Sequence, residues 1–468
     1  MKRALKFMAL IWLILGVGLA APRERFKPVM AQVQERPNIL FVMTDDQDSA
    51  SLTHMPHVTQ RVINEGVTFE NAFAANNVCC PGRASILTGK YAHNHGVYDN
   101  TGCSRFFGAQ RLDGETFATW LNRAGYRTAY FGKYLNDYES LGIPPGWDRW
   151  YAYNDGFKNP YPINDQGTQT YLNINQEQEA DHLGRKSLEW LKNTSGSGAP
   201  RLLVLAPCTP HAPAHVADRY VGTYSNLSLP KPPNFNEANV SDKPSVIRKM
   251  PRLTSGEVGA MQADFRSRME GLRSVDDAVN GILNELLAEG ELDNTYVIYG
   301  SDNGWFWGQH RLTLKTFPYE EGGRLPFVVS GPGVRAGATI PHLVGTHDLA
   351  PTIADLANAP RGGTQDGKSF VPLLSSSRPS ADVWRGRLLI ESWSSQSKFY
   401  AVRSNQRLYA EHHETSTVEK EHYDLRTDPY ELRNNAGSLS AVTLRRFHEN
   451  LRALKNCSGN GCRVSEGS

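Results

Sequence analysis

Cys79 stands two residues before Pro81 and four before Arg83, in the run Val78-Cys79-Cys80-Pro81-Gly82-Arg83-Ala84-Ser85-Ile86-Leu87-Thr88-Gly89. Proline suits the first turn of a helix, where its missing N–H is not needed. Cys79 then lies at the positive end of that helix, where anions bind and nucleophiles are activated. Arg83 lies one turn along and reaches back to the same point. A lone cysteine is more often a buried core thiol. This one comes with a proline, an arginine and the closing Thr88-Gly89.

The chain also supplies polar residues at the ends of apolar runs. The run 38–43 leads into Asp45-Asp46, and 127–131 leads to Lys133. The run 202–206 leads to Pro207-Cys208-Thr209-Pro210-His211, and 295–299 leads to Ser301-Asp302-Asn303. In open parallel sheets, ligands gather at the carboxyl ends of strands. Four such ends would therefore face one crevice. Asp45, Asp46, Asp302 and Asn303 form a hard, oxygen-only donor set, suited to one calcium ion, with magnesium as the alternative, and poorly suited to zinc. Each aspartate taken singly reads as a turn or cap residue; two acidic pairs at two strand ends do not.

The elements that must hold these residues follow from periodicity. A fifth apolar run covers 326–329, and helical patterns cover 116–124, 182–192, 265–289 and 348–356. Strands alternating with helices predict an α/β fold with a largely parallel sheet. Two stretches rich in Asn, Gly, Pro and Tyr, 151–171 and 213–251, read as long surface loops. Beyond about residue 385 the runs 387–391, 399–403, 407–410 and 421–425 look like successive antiparallel strands, followed by a helix over 441–455. That predicts a small C-terminal α+β subdomain.

With 468 residues, a net charge of +2 and 21% charged residues, no basic block implies nucleic acid as a partner. Met1, Lys2, Arg3 and Lys6 precede an apolar run over 7–20, and Leu19-Ala20-Ala21 offers small residues for cleavage. Residues 1–21 read as a secretory signal. The run is shorter than the ~20 residues that span a bilayer, so no stable membrane insertion follows. The expected location is secreted, periplasmic or lumenal. Asn193, Asn226, Asn239 and Asn456 begin glycosylation sequons. Of six cysteines, Cys457 and Cys462 flank a flexible Ser-Gly-Asn-Gly loop and are expected to pair.

Cys79-x-Pro81-x-Arg83-x-x-x-x-Thr88-Gly89 resembles the signature of the type I sulfatase family. The resemblance extends from about Arg36 to the end of the chain. It implies an alkaline-phosphatase-like fold: a large mixed, mainly parallel sheet sandwiched by helices, with a catalytic domain over 36–380 and a smaller α+β subdomain on an antiparallel sheet over 385–468. It implies that a formylglycine-generating enzyme oxidises Cys79 to formylglycine (3-oxoalanine), whose hydrated form attacks sulfur. Asp45, Asp46, Asp302 and Asn303, with residue 79, match the family's metal ligands. Lys133 and Lys315 match the lysines that hold the sulfate, and His211 the histidine near the bridging oxygen, with His310 as the other acid candidate. Tyr423-Asp424-Leu425-x-x-Asp428-Pro429-x-Glu431 resembles the C-terminal signature.

The chain looks most like the N-acetylglucosamine-6-sulfatase and arylsulfatase branch, which makes the substrate a sulfated small molecule or glycan. His93 and His95 then become substrate candidates, and Trp305 and Trp307 offer stacking surfaces. Two positions depart from the pattern: Gly82 replaces the usual serine, and Leu135 stands where many relatives carry histidine. With Cys79 oxidised and Cys457 paired to Cys462, three cysteines remain; the expected pair is Cys103–Cys208, with Cys80 buried beside the site. Competing readings are a phosphatase of the same superfold, which Asn303 in place of a zinc-binding histidine opposes, a phosphonate monoester hydrolase, and an inactive glycan-binding homologue.

Overall fold

The computed structural model describes residues 36–138, 142–153 and 159–467. The signal segment over 1–21 lies outside the described residues. Ten strands form the main sheet: β1 Asn38–Thr44, β2 Gly66–Phe73, β3 Arg127–Lys133, β4 Arg149–Tyr153, β5 Tyr161–Asp165, β6 Thr168–Leu172, β7 Arg201–Ala206, β8 Thr295–Ser301, β9 Phe327–Ser330 and β10 Ala338–Gly345. Their order is β10-β2-β9-β8-β1-β7-β3-β4-β5-β6. The central β8, β1, β7 and β3 run parallel to one another. β9 is antiparallel to both its neighbours, and β5 and β6 form an antiparallel edge, so the sheet is mixed and mainly parallel.

Every residue of β1 is buried, because a central parallel strand is covered on both faces. Its side chains alternate between two cores. Ile39, Phe41 and Met43 pack with Phe117, Trp120 and Ile353 on one face. Leu40 and Val42 pack with Leu183, Leu272 and Ile282 on the other. The helices Phe117–Arg123 and Leu349–Leu356 cover the first face, and Glu179–Thr194 and Ser255–Ala288 the second. The last of these starts ten residues before the periodicity over 265–289 suggests. Thr254 caps it in a reciprocal capping box with Glu257, and its polar first turns carry no apolar stripe to announce them.

The stretch 151–171 is not a loop. β5 and β6 lie in it, joined by Gln166 (φ 51°) and Gly167 (φ 84°), the two-residue turn with positive φ that suits a hairpin. Tyr161, Ile163 and Leu172 point inward while Thr168, Gln169 and Tyr171 are exposed. The polar outer face of an edge hairpin has the composition of a loop. The stretch 213–251 is largely irregular, with only the short turns Asp218–Tyr220 and Ser245–Arg248.

A second, antiparallel sheet contains β11 Leu388–Trp393, β12 Lys398–Arg403, β13 Arg407–His412 and β14 Glu419–Asp424 in chain order. The helix Ala441–Lys455 packs on it through Leu451 and Leu454, and a short helix follows at Asn460–Glu466. Cys457 pairs with Cys462. The expected Cys103–Cys208 pair is wrong: Cys103 bonds Cys80, with their Cα atoms 6.4 Å apart. Cys80 and Cys103 belong to the core on one face of the main sheet and Cys208 to the core on the other, so the sheet itself separates them. All four sequon asparagines are exposed. Among the described residues, no helix is long and apolar enough to cross a membrane.

Candidate active site

β1 and β8 are neighbours in register, with Thr44 opposite Ser301. The two acidic pairs that follow them therefore meet. Asn303 Nδ2 donates to Asp46 Oδ1 at 2.6 Å, and the Asp46 N–H to Asp302 Oδ1 at 3.4 Å. Asp46 turns its carboxylate by taking φ 60°, a left-handed conformation that aspartate tolerates better than most residues. Lys133 closes β3, two strands from β1, and its Nζ meets Asp45 Oδ2. Gly132 before it has φ 125°, and a Cβ there would lie 2.1 Å from the Ala206 carbonyl oxygen. Glycine is what lets β3 approach β7 while aiming Lys133 inward.

The helix Cys79–Thr88 opens at the same place, and all ten of its residues are buried. Arg83 Nε donates to Asp302 Oδ2 at 2.8 Å, its Nη2 to Asp45 Oδ2 at 3.4 Å and its Nη1 to the Lys133 carbonyl oxygen at 2.6 Å. The Cys79 Sγ lies 3.4 Å from Asp45 Oδ1 and 2.7 Å from Lys315 Nζ, which also meets Asp46 Oδ1. The glycine at 82 has a steric reason: a Cβ there would press on the carbonyl oxygens of Asn76 and Asp302, each at 3.1 Å.

His211 Nε2 lies 3.4 Å from Asp46 Oδ2, and its Nδ1 is 2.6 Å from the Ala212 carbonyl oxygen. A carbonyl only accepts, so Nδ1 carries a proton and Nε2 faces the cluster. The loop bearing His211 is clamped by residues that periodicity does not reveal. Glu179, at the start of its helix, accepts from Cys208 N at 2.6 Å, Thr209 Oγ1 at 2.8 Å and Tyr153 Oη. Gln178 Nε2 donates to the His215 carbonyl oxygen at 3.0 Å.

Burial works against charge throughout this cluster, and the neighbours decide the outcome. Burial pushes the Asp45 carboxyl up, but Lys133 and Arg83 override it and hold it well below the usual range. Burial opposes Asp46 likewise, and Lys315, His211 and, more weakly, Arg268 outweigh it. Asp302 is pushed up to about 6 by burial and by Asp45. Burial, reinforced by Asp45, raises the Cys79 thiol to about 12. The unmodified cysteine is therefore a poor thiolate, whatever its place at a helix start.

Among the described residues, Asp46 Oδ2, apart from the His211 Nε2 contact at 3.4 Å, and Asn303 Oδ1 are buried acceptors without a hydrogen-bond donor, one from each strand end. Two unmet hard oxygens, beside Asp45 and Asp302, fit a divalent cation of the calcium or magnesium type. Asp45, Asp46, Cys79 and His211 each present a ligand atom within 4.8 Å of the others.

The remaining candidates lie elsewhere. His310 is fully buried, with Nδ1 2.7 Å from Glu237 Oε2 and its ring stacked 4.2 Å from Tyr319. Burial pushes it down to about 3, so it holds no proton to give at neutral pH. His93 bonds Glu391 at 2.9 Å and the Cys457 carbonyl oxygen at 3.0 Å, tying the segment to β11. His95 bonds Ser85 Oγ at 3.0 Å inside the core. None of the three shares a described bond with the cluster. Trp305 and Trp307 are buried, with Trp307 Nε1 donating to Asp48 at 3.1 Å. Leu135 is a core residue.

The mixed, mainly parallel sheet, with buried carboxylates, lysines and an arginine at its strand ends, has an alkaline-phosphatase-like fold. The sulfatase family model matches residues 37–359, and a model described as N-sulphoglucosamine sulphohydrolase, C-terminal, matches 308–456. The chain belongs to the sulfatase family and is a sulfuric ester hydrolase. It is 32% identical to the N-acetylglucosamine-6-sulfatase of Capra hircus over 484 aligned residues, covering 93% of this chain and 86% of the relative. It is 36% identical over 370 residues to an extracellular sulfatase SULF-1 homolog of Drosophila melanogaster, covering 77% of this chain but only 33% of that longer protein. A solved structure in complex with its substrate D-glucosamine-2-N,6-O-disulfate aligns with TM-score 0.75 at 24% identity, over 89% of this chain and 97% of that one. The phosphonate monoester hydrolase of Agrobacterium radiobacter aligns with TM-score 0.70 at 21% identity, over 90% and 96%.

Proposed function

We propose that this enzyme removes the sulfate ester from a sulfated sugar of the N-acetylglucosamine-6-sulfate type, with Cys79 in its formylglycine form as the nucleophile. The observation that carries this reading is the meeting of Cys79 with Asp45, Lys315 and, through Asp45, Lys133 and Arg83 at one edge of the main sheet. The relatives named N-acetylglucosamine-6-sulfatase support the substrate class. Residues 36–380 form the catalytic domain on this reading, and 385–468 the subdomain. The extracellular relative and the N-terminal sequence support a secreted or lumenal protein, matured by a formylglycine-generating enzyme.

Asp45, Asp46, Asp302 and Asn303, with residue 79, would hold one divalent cation, calcium or alternatively magnesium, and such an ion supplies positive charge against the sulfate oxygens. The chain's own charges make that effective. Three carboxylates and the three cations Arg83, Lys133 and Lys315 cancel within the crevice. A bound divalent ion leaves it positive, the sign that a sulfate ester and its departing oxygen require. Lys133 and Lys315 hold sulfate oxygens. Arg83 fixes Asp302, Asp45 and the end of β3 in one frame. His211 presents Nε2 toward the leaving oxygen and, once doubly protonated, donates there; burial opposes that state and pushes the imidazole below its ordinary value, with Asp46 offsetting part of it.

Formylglycine would supply a hydrated aldehyde, one hydroxyl to attack sulfur and carry the sulfate, and a second whose loss of a proton re-forms the aldehyde and expels that sulfate. The tryptic peptide containing Cys79, taken from secreted protein, is expected ~18 Da lighter than the cysteine form. Unmodified cysteine throughout would overturn the mechanism. A panel of N-acetylglucosamine-6-sulfate, 4-nitrocatechol sulfate and a phosphonate monoester, with and without calcium, tests the substrate. The sugar sulfate is expected to turn over fastest, in a calcium-dependent way; a faster phosphonate would favour the reading that the Agrobacterium fold likeness raises.

A further inference from the structure

Arg268 lies on the Ser255–Ala288 helix and is 1% exposed. Its Nε donates to Asp264, one turn back, at 2.9 Å. Nη1 and Nη2 are buried and have no hydrogen-bond partner among the described residues. A buried guanidinium with unmet donors is costly unless something supplies acceptors. The group is also held in place. Its Cζ sits 3.9 Å from the ring centroid of Trp305 and 5.0 Å from that of Trp307. Those indoles are buried supports for a cation, not open stacking surfaces for a sugar.

Three segments that build the active site surround this arginine. Trp305 comes two residues after Asn303. Trp307 is bonded to Asp48, two residues after Asp46. Gly271, three positions along the helix from Arg268, abuts the His211 loop: a Cβ there would lie 3.3 Å from Thr209 Cγ2 and from the His215 carbonyl oxygen. Low exposure does not set Arg268 apart from the crevice, since Cys79 is 2% exposed and Lys133 0%.

We propose that Arg268 is a specificity residue that binds a second anionic group, a sulfate or a carboxylate, carried on the saccharide beside the ester that is cleaved. The inference rests on the reading of the enzyme as a sugar sulfatase and adds the charge of the sugar to it. The guanidinium edge, with the paired donors Nη1 and Nη2, matches the geometry of either anion. Trp305 and Trp307 fix its plane in advance, which lowers the ordering cost on binding.

The test compares kcat/KM for three substrates: glucosamine-2-N,6-O-disulfate, N-acetylglucosamine-6-sulfate, and a disaccharide in which a uronate adjoins the 6-sulfated N-acetyl sugar. The unsubstituted enzyme is expected to favour at least one doubly anionic substrate over the singly sulfated sugar, and which one it favours separates sulfate from carboxylate. R268M is expected to cut that preference about 10- to 100-fold, mainly through KM. R268K, which keeps the charge and loses the paired donors, should fall between. The proposal is overturned if the unsubstituted enzyme shows no preference, or if R268K lowers all three substrates by one factor. If R268M does not fold, R268K and the preference of the unsubstituted enzyme still decide. Failure to cleave any sulfate ester would instead overturn the proposed function.

Discussion

The crevice and the C-terminal region both bury charged groups, but in different states of completion. Around the second sheet several buried charges meet an opposite charge. Arg385 binds Asp348 through Nη2 at 2.8 Å and faces Glu466 at 2.9 Å, and Tyr91 Oη donates to Glu466 at 2.6 Å. His412 Nε2 lies 2.7 Å from Glu421. At the strand ends and on the helix beside them, acceptors on Asp46 and Asn303 and donors on Arg268 have no hydrogen-bond partner among the described residues. Burial of charge alone therefore does not mark an active site. Unmet polar atoms alone do not either, since Arg403 Nη1 and Glu431 Oε1 near the second sheet also lack a hydrogen-bond partner among the described residues; the gathering of unmet hard oxygens beside Cys79 is what differs.

That contrast is open to direct attack. The largest effect belongs to Cys79→Ala, expected to lower sulfate ester turnover at least about 1,000-fold. Its midpoint of thermal unfolding should stay within a few degrees of the parent. A large loss of stability would place Cys79 with the structural charges instead. Next comes Arg385→Met, which removes the guanidinium from buried Asp348 and Glu466 and leaves them only Tyr91, His347 and backbone donors. The expected cost is about 3–5 kcal/mol in denaturant unfolding, with turnover per folded molecule retained.

The smallest effect is a pH dependence. Burial lowers the His412 imidazole, but Glu414 and Glu421 override it and lift it to about 9. Its folded value lies above the unfolded value of about 6.5. The stabilisation is thus fully present below about pH 6.5 and is lost as pH rises through about 9. Thermal unfolding followed from pH 6.5 to 9.5 should show this decline, worth roughly 3 kcal/mol at most. His412→Gln should flatten it. An unchanged slope in that variant would assign the decline to other groups.

Much of this arrangement was legible in the sequence because parallel strands announce themselves as apolar runs and deliver their next residues to one edge. Asp45, Lys133, His211 and Asp302 all follow such runs. Cys79 was legible through Pro81. What escaped detection depends on contacts between segments far apart in the chain. Nothing local distinguishes Arg268 from the other arginines of its helix, or tells that Glu179 clamps the peptide before His211. His310 sits beside the right loop, yet it faces Glu237 and Tyr319. The hairpin of β5 and β6 was hidden by its solvent face, and the Cys80–Cys103 bond by the side of the sheet each cysteine occupies.

The complete burial of the Cys79–Thr88 helix sets an order of events. In the finished fold no second protein can grasp this segment, with the sheet beneath it and the Cys80–Cys103 bond across its first turn. On the proposed mechanism, conversion of Cys79 would have to occur while the chain is still open. A race follows between the modifying catalyst and closure of the sheet, and every molecule that closes first is lost to activity for good. The fraction of working enzyme in a preparation would be fixed by folding speed and catalyst supply during synthesis, and no later treatment of the folded protein would raise it.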